Sequence, residues 1–137
     1  MKTIIVGYDA TDPAEHALER AAQLAGAFGS QVIVISVTPV PLPAGRGTAG
    51  PDPTSPPDLH EKELGHARQR LQELGVEPEL VLGMGDPPRT IVELATERGA
   101  DLIVVGTRQL GALARMLGQS VSEEVLHSAP CDVMLVH

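Results

Sequence analysis

Apolar residues along the chain follow two alternating rhythms. Thr3 to Gly7 is β-branched and apolar without a break, Gln31 to Val37 (QVIVISV) repeats the pattern, and Asp101 to Gly106 (DLIVVG) repeats it again. Continuous apolar runs of this length mark strands covered on both faces, as in a parallel sheet. Between the first two runs, Ala14, Ala17, Leu18, Ala21, Leu24 and Ala25 recur at helical spacing. Asp12-Pro13 offers this helix an N-cap and a proline in its first turn, and Gly29 ends it. Helical periodicity resumes from Asp58 to Leu74 and stops at Gly75, and Glu79 to Leu82 is a short strand. Asp86-Pro87 then repeats the cap-plus-proline device before a helix that runs to Arg98 and stops at Gly99. Residues 107–119 read as a loop with short helical character. Ser120-x-x-Glu123 is a capping box that opens a helix to about Ser128, and Val133 to His137 is a last strand.

Strands alternating with helices five times predict a doubly wound α/β protein: a five-stranded parallel sheet in the order 3-2-1-4-5, with helices on both faces. The length of 137 residues matches one domain. One segment departs from the rhythm: residues 39–57 hold seven of the twelve prolines and three glycines, with only Val40 and Leu42 large and apolar. The stretch is too short and polar to link a second core, so it is expected to be a mobile loop over one end of the sheet.

Composition narrows the function. Eighteen acidic residues against ten basic ones give a net charge of -8, which opposes binding to a phosphate backbone. Tyr8 and Phe28 are the only aromatics, too few for a platform that stacks bases, so nucleic acid is not an expected partner. A single cysteine excludes a disulfide scaffold. No run approaches the ~18 apolar residues of a membrane span, and the start lacks a secretory apolar region, so the expected location is the cytoplasm.

In a doubly wound sheet the ligand crevice lies beyond the carboxyl ends of the strands where the winding reverses, here between the first and fourth strands. The loop after the first strand, Gly7-Tyr8-Asp9-Ala10-Thr11-Asp12, carries two carboxylates. It would repel phosphate, but a carboxylate there can accept hydrogen bonds from sugar hydroxyls. The loop after the fourth strand is the better anion site: residues 102–122 contain no acidic group, and Arg108, Arg115, Gly111 and Gly118 precede a helix N-terminus. A nucleotide could span both loops. Equally, Asp9 and Asp12 could serve only as caps and the glycines only as turns.

The whole chain resembles the universal stress protein family. The resemblance rests on IIVGYDATD after the first strand begins, VISVTPV in and after the second, GDPPRTIVELATERGADLIVVGTRQLG, and the ending SVSEEVLHSAPCDVMLV. It implies a Rossmann-like, adenine-nucleotide-α-hydrolase-like fold, ATP with Mg2+ as ligand, a regulatory or protective role in stress, and a homodimer formed through strand 132–137. ATP-binding members carry Gly-x-x-Gly-x9-Gly-Ser/Thr after the fourth strand. The corresponding positions here are Gly106, Gln109, Gln119 and Ser120, so two of the three glycines are glutamine. Carried over, Asp9 meets the ribose, the backbone of Val37 meets the adenine, and Gly7 lines the adenine pocket. Gly106, Thr107 and Arg108 take the phosphates on one side, and Ser120, Val121 and Ser122 take them on the other. A Cβ in a phosphate cradle takes up space and resists φ > 0, whereas a glutamine amide can donate to phosphate oxygen. Two readings stay open: an adenine-nucleotide-binding dimer, or a nucleotide-free dimeric module that engages protein partners, with Gln109 and Gln119 filling the site.

Other chemistry finds less support. Gly83-Met84-Gly85-Asp86 reads as a turn and a cap, not a dinucleotide fingerprint, so neither flavin nor nicotinamide is expected. His16, His60, His66, His127 and His137 are scattered without i, i+3 or i+4 pairs, and no metal site is expected. Cys131 reads as a small buried hydrophobe. The receiver-domain and Asp-x-Asp phosphatase patterns both fail, for want of the acceptor and second aspartates. No catalytic base or activated nucleophile stands out, and any ATP hydrolysis would be slow.

Overall fold

The structure is a computed structural model that describes residues 1–38, 57–107 and 128–137. Five parallel strands form one sheet in the order β3-β2-β1-β4-β5, as the alternation predicts. They are β1 (Thr3–Gly7), β2 (Gln31–Thr38), β3 (Glu79–Met84), β4 (Leu102–Gly106) and β5 (Asp132–Val136), with helices α1 (Asp12–Phe28), α2 (Pro57–Glu73) and α3 (Pro87–Arg98) between them. The sheet is built around β1, where Ile5 lies opposite Ile33 on one side and Ile103 on the other. Alternation of side chains sends Ile4, Val6 and Tyr8 into a core with α1 and α2, and Ile5 into a second core with Ile91, Leu94 and Ala95 of α3. Apolar layers on both faces explain why β1, β2 and β4 read as unbroken apolar runs.

The boundaries differ from the sequence reading in instructive places. The N-cap of α1 is Thr11, not Asp12: the Thr11 hydroxyl accepts from the Ala14 amide at 3.4 Å, and Asp12 is already helical. At α3 the expected Asp86 does cap, accepting from the Arg89 amide. Both α1 and α3 end on left-handed glycines, Gly29 and Gly99, as predicted. Strand β3 continues past Leu82 to Met84, because β2 keeps pairing with it through Thr38 opposite Met84. Asp101 precedes β4 rather than opening it. Its Oδ2 accepts from the Lys2 amide at 2.6 Å and the Thr3 amide at 3.0 Å, and those bonds hold the carboxyl below its ordinary range. Apart from Pro57, which begins α2, the proline-rich segment 39–57 lies outside the described residues, as do the loop from residue 108 and the helix expected from Ser120.

Candidate functional site

The chain leaves the sheet at the winding reversal. Gly7 ends β1 between Ile35 and Val105, and the next amide, Tyr8, still donates to the Ile35 carbonyl at 2.9 Å. Tyr8 turns its ring into the α1/α2 core, where it is 1% exposed. Its hydroxyl donates to Glu15, and burial together with that bond pushes the phenol well above its ordinary range. Asp9 then organises the turn: its Oδ1 accepts from the Thr11 amide at 3.1 Å and the Thr11 hydroxyl at 2.6 Å. Between them, Ala10 adopts φ 63°, a left-handed conformation that costs a residue with a Cβ about 1 kcal/mol. Asp9 is half-buried, and among the described residues its Oδ2 makes no hydrogen bond. One oxygen thus builds the loop and the other remains for a hydroxyl donor.

Across the reversal, Gly106 ends β4 directly beneath the first turn of α1. A Cβ there would stand 2.7 Å from the Pro13 carbonyl carbon, 2.8 Å from the Ala14 nitrogen and 2.9 Å from the Pro13 Cβ. The glycine is therefore required by the close approach of helix and strand, whatever it does for a ligand. The Thr107 amide donates to the Val136 carbonyl at 2.9 Å, so the outgoing chain stays against β5 for one more residue.

The third side is the end of β2, which outruns β1. In a parallel ladder, backbone groups of alternate residues face alternate neighbours, and Ile35 faces β1. Val37, two residues on, turns its N–H and C=O to the same side, where β1 has already ended at Gly7. Ser36 and Thr38 point instead toward α2. Ser36 Oγ lies 2.9 Å from His60 Nδ1, and His60 approaches Glu63 at 3.7 Å. Burial raises the Glu63 carboxyl; His60 opposes that shift and the charge of Asp9 adds to it. Asp9, Glu63, His60 and Ser36 thereby form one polar rim at the carboxyl end of the sheet, and Thr38 shares the α2 side of β2 with Ser36.

The fold brings together Gly7, Asp9, Val37, Gly106 and Thr107, five of the residues picked out by sequence. Arg108, Gln109, Gln119, Ser120, Val121 and Ser122 lie outside the described residues. Sequence reading missed Ser36, Thr38, His60 and Glu63. The two hydroxyls were visible as the polar positions of an otherwise apolar strand, but their partners come from a helix whose register on the sheet no local pattern reveals. Gly83 and Met84, expected in a turn, still pair with β2 as the end of β3; the turn is confined to Gly85, with φ 127°, and Asp86, which caps α3. Cys131 is partly buried against the α3-side core, and burial raises its thiol. Among the described residues no three His, Cys, Asp or Glu side chains cluster as a metal site, and no helix is long and apolar enough to cross a membrane.

This sheet, with a crevice flanked by a carboxylate turn and an overhanging strand end, defines a doubly wound α/β protein of the kind that takes ligands beyond its strand termini. The chain belongs to the Universal stress protein family, whose sequence model matches residues 1–137. It is 32% identical to a universal stress protein of Thermus aquaticus, with 98% of each chain covered. It is 34% identical to one of Mycobacterium tuberculosis, covering 99% of this chain and 96% of the relative. Among solved structures, a universal stress protein in complex with cAMP superposes with a TM-score of 0.76 at 29% identity, covering 99% of this chain and 97% of the other. The universal stress protein of Archaeoglobus fulgidus in complex with dAMP superposes with a TM-score of 0.72 at 27% identity, covering 100% and 98%.

Proposed function

We propose that this universal stress protein binds an adenine nucleotide at the reversal between β1 and β4 and acts in the cytoplasm as a regulatory or protective homodimer in stress response. The observation that carries the reading is the pairing of Asp9, with Oδ2 left for ribose hydroxyls, and Val37, whose backbone N–H and C=O face the space where β1 has ended. An N–H beside a C=O suits the donor-acceptor edge of adenine. The relatives bound to cAMP and dAMP support the same ligand class. Gly7 floors the base pocket, while Gly106 and Thr107 begin the phosphate side that Arg108, Gln109, Gln119, Ser120, Val121 and Ser122 complete. With ATP, Mg2+ would arrive on the phosphates, since the rim offers it no cluster of its own. On this reading residues 1–137 form one domain.

The dimer reading rests on β5, an edge strand with Leu135 exposed, beside an open groove of about 580 Å³ lined by His16, Arg20, Met134 and His137. Such an edge invites pairing with a second copy. Gln109 and Gln119, where ATP-binding members carry glycine, favour the second reading, a nucleotide-free dimer that engages protein partners. Isothermal titration of the nucleotide-stripped protein with ATP and Mg2+, alongside the Gln109→Gly/Gln119→Gly variant, separates the two. The nucleotide reading expects saturable binding by the parent protein. Binding by the glycine variant alone would mean a site closed by the two glutamines.

A further inference from the structure

Two hydroxyls project from the end of β2 toward α2, and they differ in one respect. Ser36 and Thr38 share that side because strand residues two apart do, following Val32 and Val34 into the α1/α2 layer. Both are buried, Ser36 at 1% and Thr38 at 6% exposure. Ser36 Oγ meets His60 Nδ1 at 2.9 Å. Thr38 Oγ1 has no hydrogen-bond partner among the described residues, although the backbone carbonyl of the same residue accepts from the Gly85 amide at 2.9 Å. A buried hydroxyl without a partner is penalised relative to a methyl of the same shape, so valine would be the stable choice for packing alone.

The position of this hydroxyl gives it a use. Thr38 follows Val37, whose backbone faces the crevice, and its side chain leaves β2 on the same side as Ser36, whose hydroxyl reaches the His60 and Glu63 rim. We infer that the Thr38 hydroxyl is a specificity contact for the nucleoside, hydrogen-bonding the edge of the purine base that the Val37 backbone reads. The inference rests on the nucleotide reading and deepens it. A hydroxyl both donates and accepts, so it can serve a ring nitrogen or an exocyclic amine, and in a dry site an unmatched base would leave it unpaired. It is a binding residue without a catalytic role.

The test is isothermal titration of the full chain with AMP, comparing the parent, Thr38→Val and Thr38→Ser, with thermal unfolding of each in the absence of nucleotide. Thr38→Val is expected to weaken AMP binding about tenfold. Thr38→Ser, which keeps the hydroxyl, should stay within about twofold. Without nucleotide the valine variant should unfold at the same temperature as the parent or higher, since a buried unpartnered group has been removed. Unchanged affinity in Thr38→Val overturns the inference alone. So does a loss of nucleotide-free stability in that variant, because the hydroxyl would then have a partner within the protein. Absence of AMP binding by the parent overturns the nucleotide reading and this inference with it.

Discussion

The chain contains the same strand-turn-helix device twice, and the two copies have different fates. β1 leads into α1 and β3 into α3; each helix starts with a side-chain cap and a proline and ends on a left-handed glycine. The β3–α3 turn is economical: Gly85 supplies the positive φ and Asp86 caps directly. It lies at the sheet edge, with Leu82 and Met84 exposed. The β1–α1 turn is longer and more elaborate. A non-glycine residue, Ala10, holds the positive φ, Thr11 caps the helix, and Asp9 anchors Thr11 through two bonds. Strain and an incompletely used carboxylate oxygen occur together in the turn at the centre of the sheet. A turn that needed only to start a helix would resemble the one at β3, so the extra construction at β1 is evidence for a ligand.

The two copies can be separated most forcefully at the strand glycine that packs under each helix, Gly106 of β4 beneath α1 and Gly83 of β3 beside α3. Gly106→Ala drives a Cβ into the backbone of Pro13 and Ala14, so α1 must move, and the expected loss is about 3 kcal/mol. Gly83→Ala meets side-chain methyls of Thr90, Ile35 and Val37 and no backbone atom among the nearest, and should lose about 1 kcal/mol. Chemical denaturation of the pair checks the difference, and equal losses would mean that α1 does not depend on that contact. The caps come next. Thr11→Ala and Asp86→Ala should each cost about 1 kcal/mol, yet only Thr11→Ala removes one of the two bonds that hold Asp9, leaving the amide bond alone, and should weaken nucleotide binding. Titration of both variants against AMP tests that asymmetry.

The smallest effect is electrostatic and belongs to the β1 side alone. The Glu63 carboxyl is raised by burial and by Asp9, against the opposing pull of His60. A carboxyl raised in the folded state favours folding when protonated, and that contribution is lost as pH rises through its folded value. Glu63→Gln should therefore be more stable than the parent at neutral pH, with the advantage vanishing on acidification below the ordinary carboxylate range. Paired melts across pH would show the two curves converging on the acid side.

How far sequence alone carries depends on the range of the interaction concerned. Strand order and helix placement were legible because unbroken apolar runs and 3.6-residue periodicity are local signatures of layers on both faces. Asp9, Val37 and Gly106 were legible as candidate site residues through the family resemblance and the winding rule, and the fold places them together at the winding reversal. The cap of α1 was misplaced by one residue because Asp12 and Thr11 are both good caps, and what separates them is the extended backbone of Thr11 and the bond its hydroxyl accepts from the Ala14 amide. Gly106 was taken for a phosphate residue, and its packing against Pro13 was not foreseen, since contacts across 93 residues leave no local trace. Ser36 and Thr38 likewise stood in plain view in VISVT, but their unequal fates depend on where His60 falls on the sheet.

The central claim is that the elaborated turn, and not its plain counterpart, meets the ligand. Amide chemical shifts of the nitrogen-15-labelled protein, followed while AMP is added, test this most directly. The account predicts saturable shifts at Tyr8, Asp9, Thr11, Val37 and Thr107, with Asp86, Arg89 and Thr90 at the β3–α3 turn unmoved. Shifts centred on the β3–α3 turn, or none at all in the folded, nucleotide-stripped protein, would contradict it.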